Sequence, residues 1–296
     1  MTAAQTIFHV TVTLVLALAA PLLAVGYFRR YRLPRPPVGV FNGRDIAVMV
    51  TFVVVMPFAY LALPGWGLPV VLGLVFYGSL VIGYEPVVRR RWTRHGLVLA
   101  LLGADLLAAH AMSAGWAAPL WYGLVNSVLI LLVVVSATNL ASQGGLRLAH
   151  AAAFALALAC YDAFFATVVP MTQRLAEAIT GYAFAPSAGL VVGSLSSWLG
   201  MGDLLVYGMY GVVAVKAYGR RGLVVALVLI ASFGAAIPAA TPAVWQALTG
   251  TLPSLVPAQI FFGPAAFLGY LALRRTGPER RMAAVLTAPG PRVVPA

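Results

Sequence analysis

Charged residues are scarce in this 296-residue chain, at 9% against 62% hydrophobic. So little polar surface cannot clothe a soluble domain of this length, and the composition reads as a polytopic membrane protein. Cysteine occurs once, at Cys160, which excludes an internal disulfide and any multi-cysteine metal site. The four histidines, His9, His95, His110 and His150, are scattered and match no ligand spacing such as H-E-x-x-H. Alternation of apolar and polar residues is missing from the apolar runs, which excludes a closed β-barrel. No span carries the G-x-S-G of an intramembrane serine protease. No basic segment precedes the first apolar run, so residues 1–28 read as a retained span rather than a cleaved signal peptide.

What is present is a series of long apolar segments, at about 5–28, 45–63, 68–84, 96–112, 119–138, 148–169, 188–215, 222–240 and 253–273. Most approach the roughly 20 residues that cross a bilayer as a helix. The expectation is therefore an all-α polytopic membrane protein with nine transmembrane helices. Residues 1–273 form one transmembrane domain and 274–296 a flexible cytoplasmic tail. The second and third spans, separated by Pro64-Gly65-Trp66-Gly67, are expected to form a tight helical hairpin.

The net charge of +12 follows topology. With the N-terminus outside and the C-terminus inside, Arg29, Arg30, Arg32, Arg35, Arg44, Arg89, Arg90, Arg91, Arg94, Arg147, Lys216, Arg220, Arg221, Arg274, Arg275, Arg280, Arg281 and Arg292 all fall on the inner side. Arg174 alone falls outside. The partner this predicts is the lipid bilayer with its anionic inner leaflet, and not nucleic acid. A single lysine among so many arginines points to a GC-rich bacterial genome, and so to a multi-pass protein of a bacterial cell membrane. Trp66, Trp116, Trp121 and Trp245 lie near outer ends and read as interfacial anchors.

Against this background two acids stand out. Asp162 lies in Ala159-Cys160-Tyr161-Asp162-Ala163-Phe164-Phe165 and Asp203 in Trp198-Leu199-Gly200-Met201-Gly202-Asp203-Leu204. A carboxylate in the hydrocarbon layer costs a few kcal/mol and marks a functional site by default. Asp162 is fifteen residues beyond Arg147, ~22 Å at helical rise, and Asp203 is thirteen before Lys216, ~20 Å. Antiparallel neighbouring spans thus bring the two to the same depth. Gly200 and Gly202 remove side chains beside Asp203, and Gly193, Ser194, Ser196 and Ser197 extend a small-residue surface through the outer half of the span. Of the remaining polar residues, Asp105 reads as a structural acid bonded to Asn126 or near His110. Asn126 and Asn139 read as interhelical glue, Glu85 as the ion-pair partner of Arg89, and Asp45 as a helix-start carboxylate. Cys160 reads as a small packing residue.

Tyr161-Asp162 on the sixth span and Gly200-Met201-Gly202-Asp203 on the seventh resemble the YD and GxGD motifs of the presenilin/signal peptide peptidase family of intramembrane aspartic proteases. Pro257-Ala258-Gln259 stands where that family carries PAL on its ninth span, with Gln259 replacing leucine. Pro257 is seventeen residues before Arg274, ~26 Å from the inner edge, about a turn from the depth of the aspartates. The N-out, C-in charge pattern is similar to the signal peptide peptidase orientation rather than its presenilin inverse.

The resemblance implies an aspartic endopeptidase that cuts transmembrane helices of type II orientation and is active as one chain. Asp162 and Asp203 would be the catalytic pair, with Tyr161, Gly200, Gly202, Pro257, Ala258 and Gln259 positioning substrate. Two carboxylates this close would share one proton, and no metal or organic cofactor is required. Two alternatives remain open on sequence. One is a proton- or ion-coupled transporter using the carboxylates as a relay. The other is a catalytically inactive protein that binds membrane helices, with Gln259 its one motif-level hint.

Overall fold

Apolar runs of this length have to satisfy their own backbone hydrogen bonds, and they do so as helices. The computed structural model of the protein describes residues 2–33, 42–116, 118–167, 183–251 and 256–280. Six helices come first in the chain: α1 (Ala3–Arg30), α2 (Gly43–Ala62), α3 (Gly67–Gly83), α4 (Arg91–Ser113), α5 (Pro119–Gln143) and α6 (Leu148–Thr167). A β-hairpin follows, β1 (Ser187–Val192) and β2 (Leu195–Gly200), leading directly into α7 (Met201–Leu229). A π-helical segment, Ile230–Ala236, joins α7 to α8 (Ile237–Thr249), and α9 (Gln259–Arg275) completes the described fold. Among the described residues six helical stretches are long and apolar enough to cross a membrane: α1, α2, α4, α5, α6 and the 49-residue run from Met201 to Thr249. The protein is thus a mostly helical, multi-pass integral membrane protein.

The run from Met201 to Thr249 is not one rod. Gly219 has φ 62° and ψ −139°, outside the helical region and accessible chiefly to glycine. There the chain doubles back: Tyr207 Oη donates to the carbonyl of Gly234 at 2.7 Å. The apolar segment near 222–240 is therefore a separate helical arm, as its sequence suggested.

The seventh segment differs from expectation. Residues 188–200 are not the outer half of a helix but the hairpin, paired antiparallel from Ser187↔Gly200 to Val192↔Leu195. Gly193 and Ser194 form its two-residue turn, with Gly193 at φ 59°, the geometry a tight hairpin needs. Gly193, Ser194, Ser196 and Ser197 consequently line no helix face. A polar grip from the helices holds the hairpin. Asn126 Nδ2 donates to the carbonyls of Ala185 (3.2 Å) and Ser187 (2.6 Å). Ser127 Oγ both donates to the Gly189 carbonyl at 3.0 Å and accepts from its N–H at 2.8 Å. On the other strand Ser197 Oγ meets His9 Nδ1 at 2.8 Å and Thr13 Oγ1 at 3.3 Å, tying β2 to α1.

Opposite the hairpin, the chain is laced where the basic residues gather. Lys216 Nζ donates to the carbonyls of Ser142 (2.9 Å) and Leu146 (2.8 Å), a cation on the C-terminal end of α5. Gln143 accepts from the N–H of Leu33, and Glu279 from that of Ala149. Residues just beyond α9 are therefore held against the bundle, while 281–296, with Arg281 and Arg292, lie outside the described residues, as do Arg35, Arg174 and nearly all of the stretch between α6 and β1.

Several side-chain expectations change partner. Asp105 is fully buried, yet its Oδ2 accepts from the backbone N–H of Phe184 at 2.7 Å rather than from Asn126. Glu85 pairs with Arg94 (4.0 Å), not Arg89, because α4 begins only at Arg91 and Arg89 precedes it. Asn139 does bridge helices, donating to Ala24, and Asp45 closes a capping box with Asn42. Trp66, Trp116, Trp121 and Trp245 are exposed. The turn between α2 and α3 closes through Gly67 N–H to the Pro64 carbonyl, but α2 rests chiefly on α6.

Candidate active site

Three helices deliver the site. Asp162 stands near the C-terminal end of α6, five residues before Thr167. Asp203 stands in the first turn of α7, immediately after β2, where the unpaired N–H groups of the helix start favour a carboxylate. That placement corrects the expectation of a mid-helix aspartate, since the helix starts only two residues earlier. Gln259 is the first residue of α9, preceded by Pro257 and Ala258. Pro257 lies outside the helix, and the Ala258 carbonyl takes the first turn's N–H groups from Phe261 (3.2 Å) and Phe262 (3.0 Å). The Pro-Ala pair thus acts as a helix start rather than as part of a continuous span.

Gln259 joins the two acids. Its Nε2 donates to Asp203 Oδ1 at 2.8 Å. Its backbone N–H faces the carboxyl group of Asp162, and the two aspartates lie close enough to feel each other's charge. The pair therefore converges from different helices on a single residue of a third.

Packing below the acids explains why α9 sits where it does. Gly263 lets α9 press on α6, since a Cβ there would stand 2.4 Å from the Ala155 carbonyl. On the other side the Phe262 ring fits between Tyr207 (4.8 Å between centroids) and Tyr210 (5.6 Å). Both tyrosines are fully buried. Each hydroxyl finds a backbone acceptor, Tyr207 on Gly234 and Tyr210 on Ala266 at 2.8 Å. These residues escaped the sequence reading. Their signal was the spacing Asp203, Tyr207, Tyr210, which puts all three on one helix face at i, i+4 and i+7.

The remaining predicted site residues divide. Gly200 touches the chemistry: a Cβ there would lie 3.3 Å from Asp203 Oδ2. Gly202 is exposed and a Cβ would meet nothing within 4 Å, so its small size leaves open space beside Asp203. Tyr161 does not hydrogen-bond to either acid among the described residues; its ring rests on Phe165 at 4.5 Å between centroids, and Phe165 in turn meets Phe58 of α2 at 6.0 Å. Ala258 is buried and Pro257 half-buried. Cys160 is exposed rather than packed. No group of three or more metal-ligating side chains occurs among the described residues.

The arrangement offers two carboxyl groups, a directed amide donor and an open flank at Gly202. Such a set can hold a water molecule between an acid and a base. Compared with known proteins, the chain matches no family model and no curated relative.

Proposed function

We propose that this protein is an intramembrane aspartic endopeptidase of the presenilin/signal peptide peptidase type, hydrolysing peptide bonds within transmembrane helices. The observation that carries the reading is the convergence of Asp162 and Asp203, from α6 and α7, on Gln259 at the start of α9. The YD, GxGD and PAL-like segments of the sequence come together at that point although they are far apart in the chain.

In this reading the pair holds one proton, because two adjacent carboxylates cannot both ionise at modest cost. The ionised member removes a proton from a water, whose oxygen attacks the scissile carbonyl carbon. The protonated member donates a hydrogen bond to the carbonyl oxygen. As the tetrahedral adduct collapses, the C–N bond breaks and the leaving nitrogen receives a proton from the pair. The substrate helix has to unwind locally, exposing backbone groups that lipid cannot satisfy. Support for a docking mode comes from β2. It pairs with β1 along one edge and runs directly into the start of α7 that carries Asp203, so its other edge leads to the acids. An unwound substrate strand added there would end beside Asp203.

The topology proposed with this function has nine spans, N-out and C-in. It counts α1 to α6, the two arms of the Met201–Thr249 run on either side of Gly219, and α9. The substrates are then transmembrane helices of type II orientation, and the protein resides in a bacterial cell membrane.

The test is cleavage of a model type II transmembrane substrate in proteoliposomes. Asp162→Ala and Asp203→Ala should each abolish cleavage in a folded protein, and the double variant should be no worse than either single one. Near-complete activity in either single variant would sink the dyad.

A further inference from the structure

Gln259 has a feature that a substrate-positioning role alone leaves unexplained. The side chain is only 3% exposed, its Nε2 is committed to Asp203 Oδ1, and its Oε1 has no hydrogen-bond partner among the described residues. A buried amide orients so that its stronger demand is met. Here the demand met is that of a carboxylate oxygen for a donor. The reverse orientation would set the amide oxygen against Asp203 Oδ1, tolerable only with a proton between them.

We infer that Gln259 is a positioning residue for the acid pair: its side-chain amide fixes the carboxyl plane of Asp203 and favours the ionised form, setting the pH range over which the pair holds a single proton. This deepens the protease reading and rests on it. Leucine, which stands at this place in the resembling family motif, has no donor to offer, so the device belongs to this chain's own sequence. The titratable groups around Asp203 are Asp162 from α6 and Tyr207 from α7, with Tyr161 beside Asp162. Tyr207 is engaged with the Gly234 carbonyl, and α9 carries no charged residue before Arg274. Gln259 is therefore the group on α9 able to discriminate between the protonation states of Asp203. The unpartnered Oε1 stays in place beside it as an acceptor for a donor brought in by water or by substrate backbone.

The sign follows directly. A donor stabilises a carboxylate, so removing it makes Asp203 easier to protonate, and its titration moves to higher pH. Loss of one hydrogen bond to a charged acceptor corresponds to a shift of about one pH unit.

The experiment is an infrared titration of the full-length protein in lipid nanodiscs, following the protonated-carboxyl band that disappears in Asp203→Asn. Wild type is compared with Gln259→Leu and with the isosteric Gln259→Glu, which keeps the volume and replaces the donor by a second acid. The expected result is an upward shift of about one pH unit for Gln259→Leu and a larger one for Gln259→Glu. The acid limb of the cleavage pH profile should move with it. A purely space-filling residue would leave Gln259→Leu, which keeps most of the volume and adds no charge, on the wild-type curve, whereas the acid of Gln259→Glu shifts it in either case. An unmoved midpoint or a downward shift in Gln259→Leu would overturn the inference. The infrared readout needs no turnover. If cleavage survives loss of either aspartate, the protease reading fails, and the titration still decides the role of Gln259.

Discussion

A single methyl group decides how much room Asp203 has. Gly200 and Gly202 look equivalent in the motif, but only Gly200 faces the carboxyl group, at 3.3 Å from a Cβ to Oδ2. Gly200→Ala should lower the cleavage rate at least tenfold at unchanged folding, whereas Gly202→Ala should keep the carboxyl geometry and act, if at all, on substrate affinity. Separate kcat and KM values on one model substrate check both. Asp105 gives the converse case. Its work is to accept the Phe184 N–H at 2.7 Å, which asparagine can also do. Asp105→Asn should therefore retain activity, while Asp105→Leu strands the part-buried Phe184 N–H and should cost about 1 kcal/mol of stability. Thermal melting in detergent distinguishes the two. At this scale the sequence exposed the acids, because a charge in apolar sequence has few innocent explanations. It did not expose the partner of Gln259, because a side chain's hydrogen bond depends on which helix lies opposite.

At the level of elements, the hairpin before α7 was the principal misreading. Residues 188–200 are apolar and rich in small residues, and as hydropathy they continue the following helix. The discriminating signal was local: a Gly-Ser pair between two short runs, Leu190-Val191-Val192 and Leu195, the spacing of a two-residue hairpin. Gly193→Val tests the turn. A β-branched residue at φ 59° costs about 1–2 kcal/mol, and amides of β1 and β2 should exchange faster with deuterium while α7 stays protected. Unchanged exchange would mean that the turn does not govern the strands. Lys216 tests the opposite end. Lys216→Met strands the Ser142 and Leu146 carbonyls and should lower stability by about 2 kcal/mol, measurable as a lower melting temperature with cleavage retained below it.

For the whole molecule the decisive quantity is the distribution of charge. A reporter fused after Arg281 should be cytoplasmic and one fused ahead of Thr2 external, since the basic residues flank alternate connections. A cytoplasmic N-terminus would reverse the proposed orientation and with it the expected polarity of substrate helices. The helical break at Gly219 matters here, because it turns one continuous apolar run into two arms, which the proposed orientation counts as two spans.

Hydrophobicity and charge are properties that each segment carries alone, which is why a mostly helical, multi-pass membrane protein and its two aspartates in apolar sequence were legible in the chain. Packing partners belong to no segment alone. That Asp203 opens a helix, that Phe262 wedges between Tyr207 and Tyr210, and that Gln259 reaches across to a carboxylate all depend on how closely α6, α7 and α9 approach. That approach is set by small residues such as Gly263, whose meaning appears only when the opposing backbone is in view.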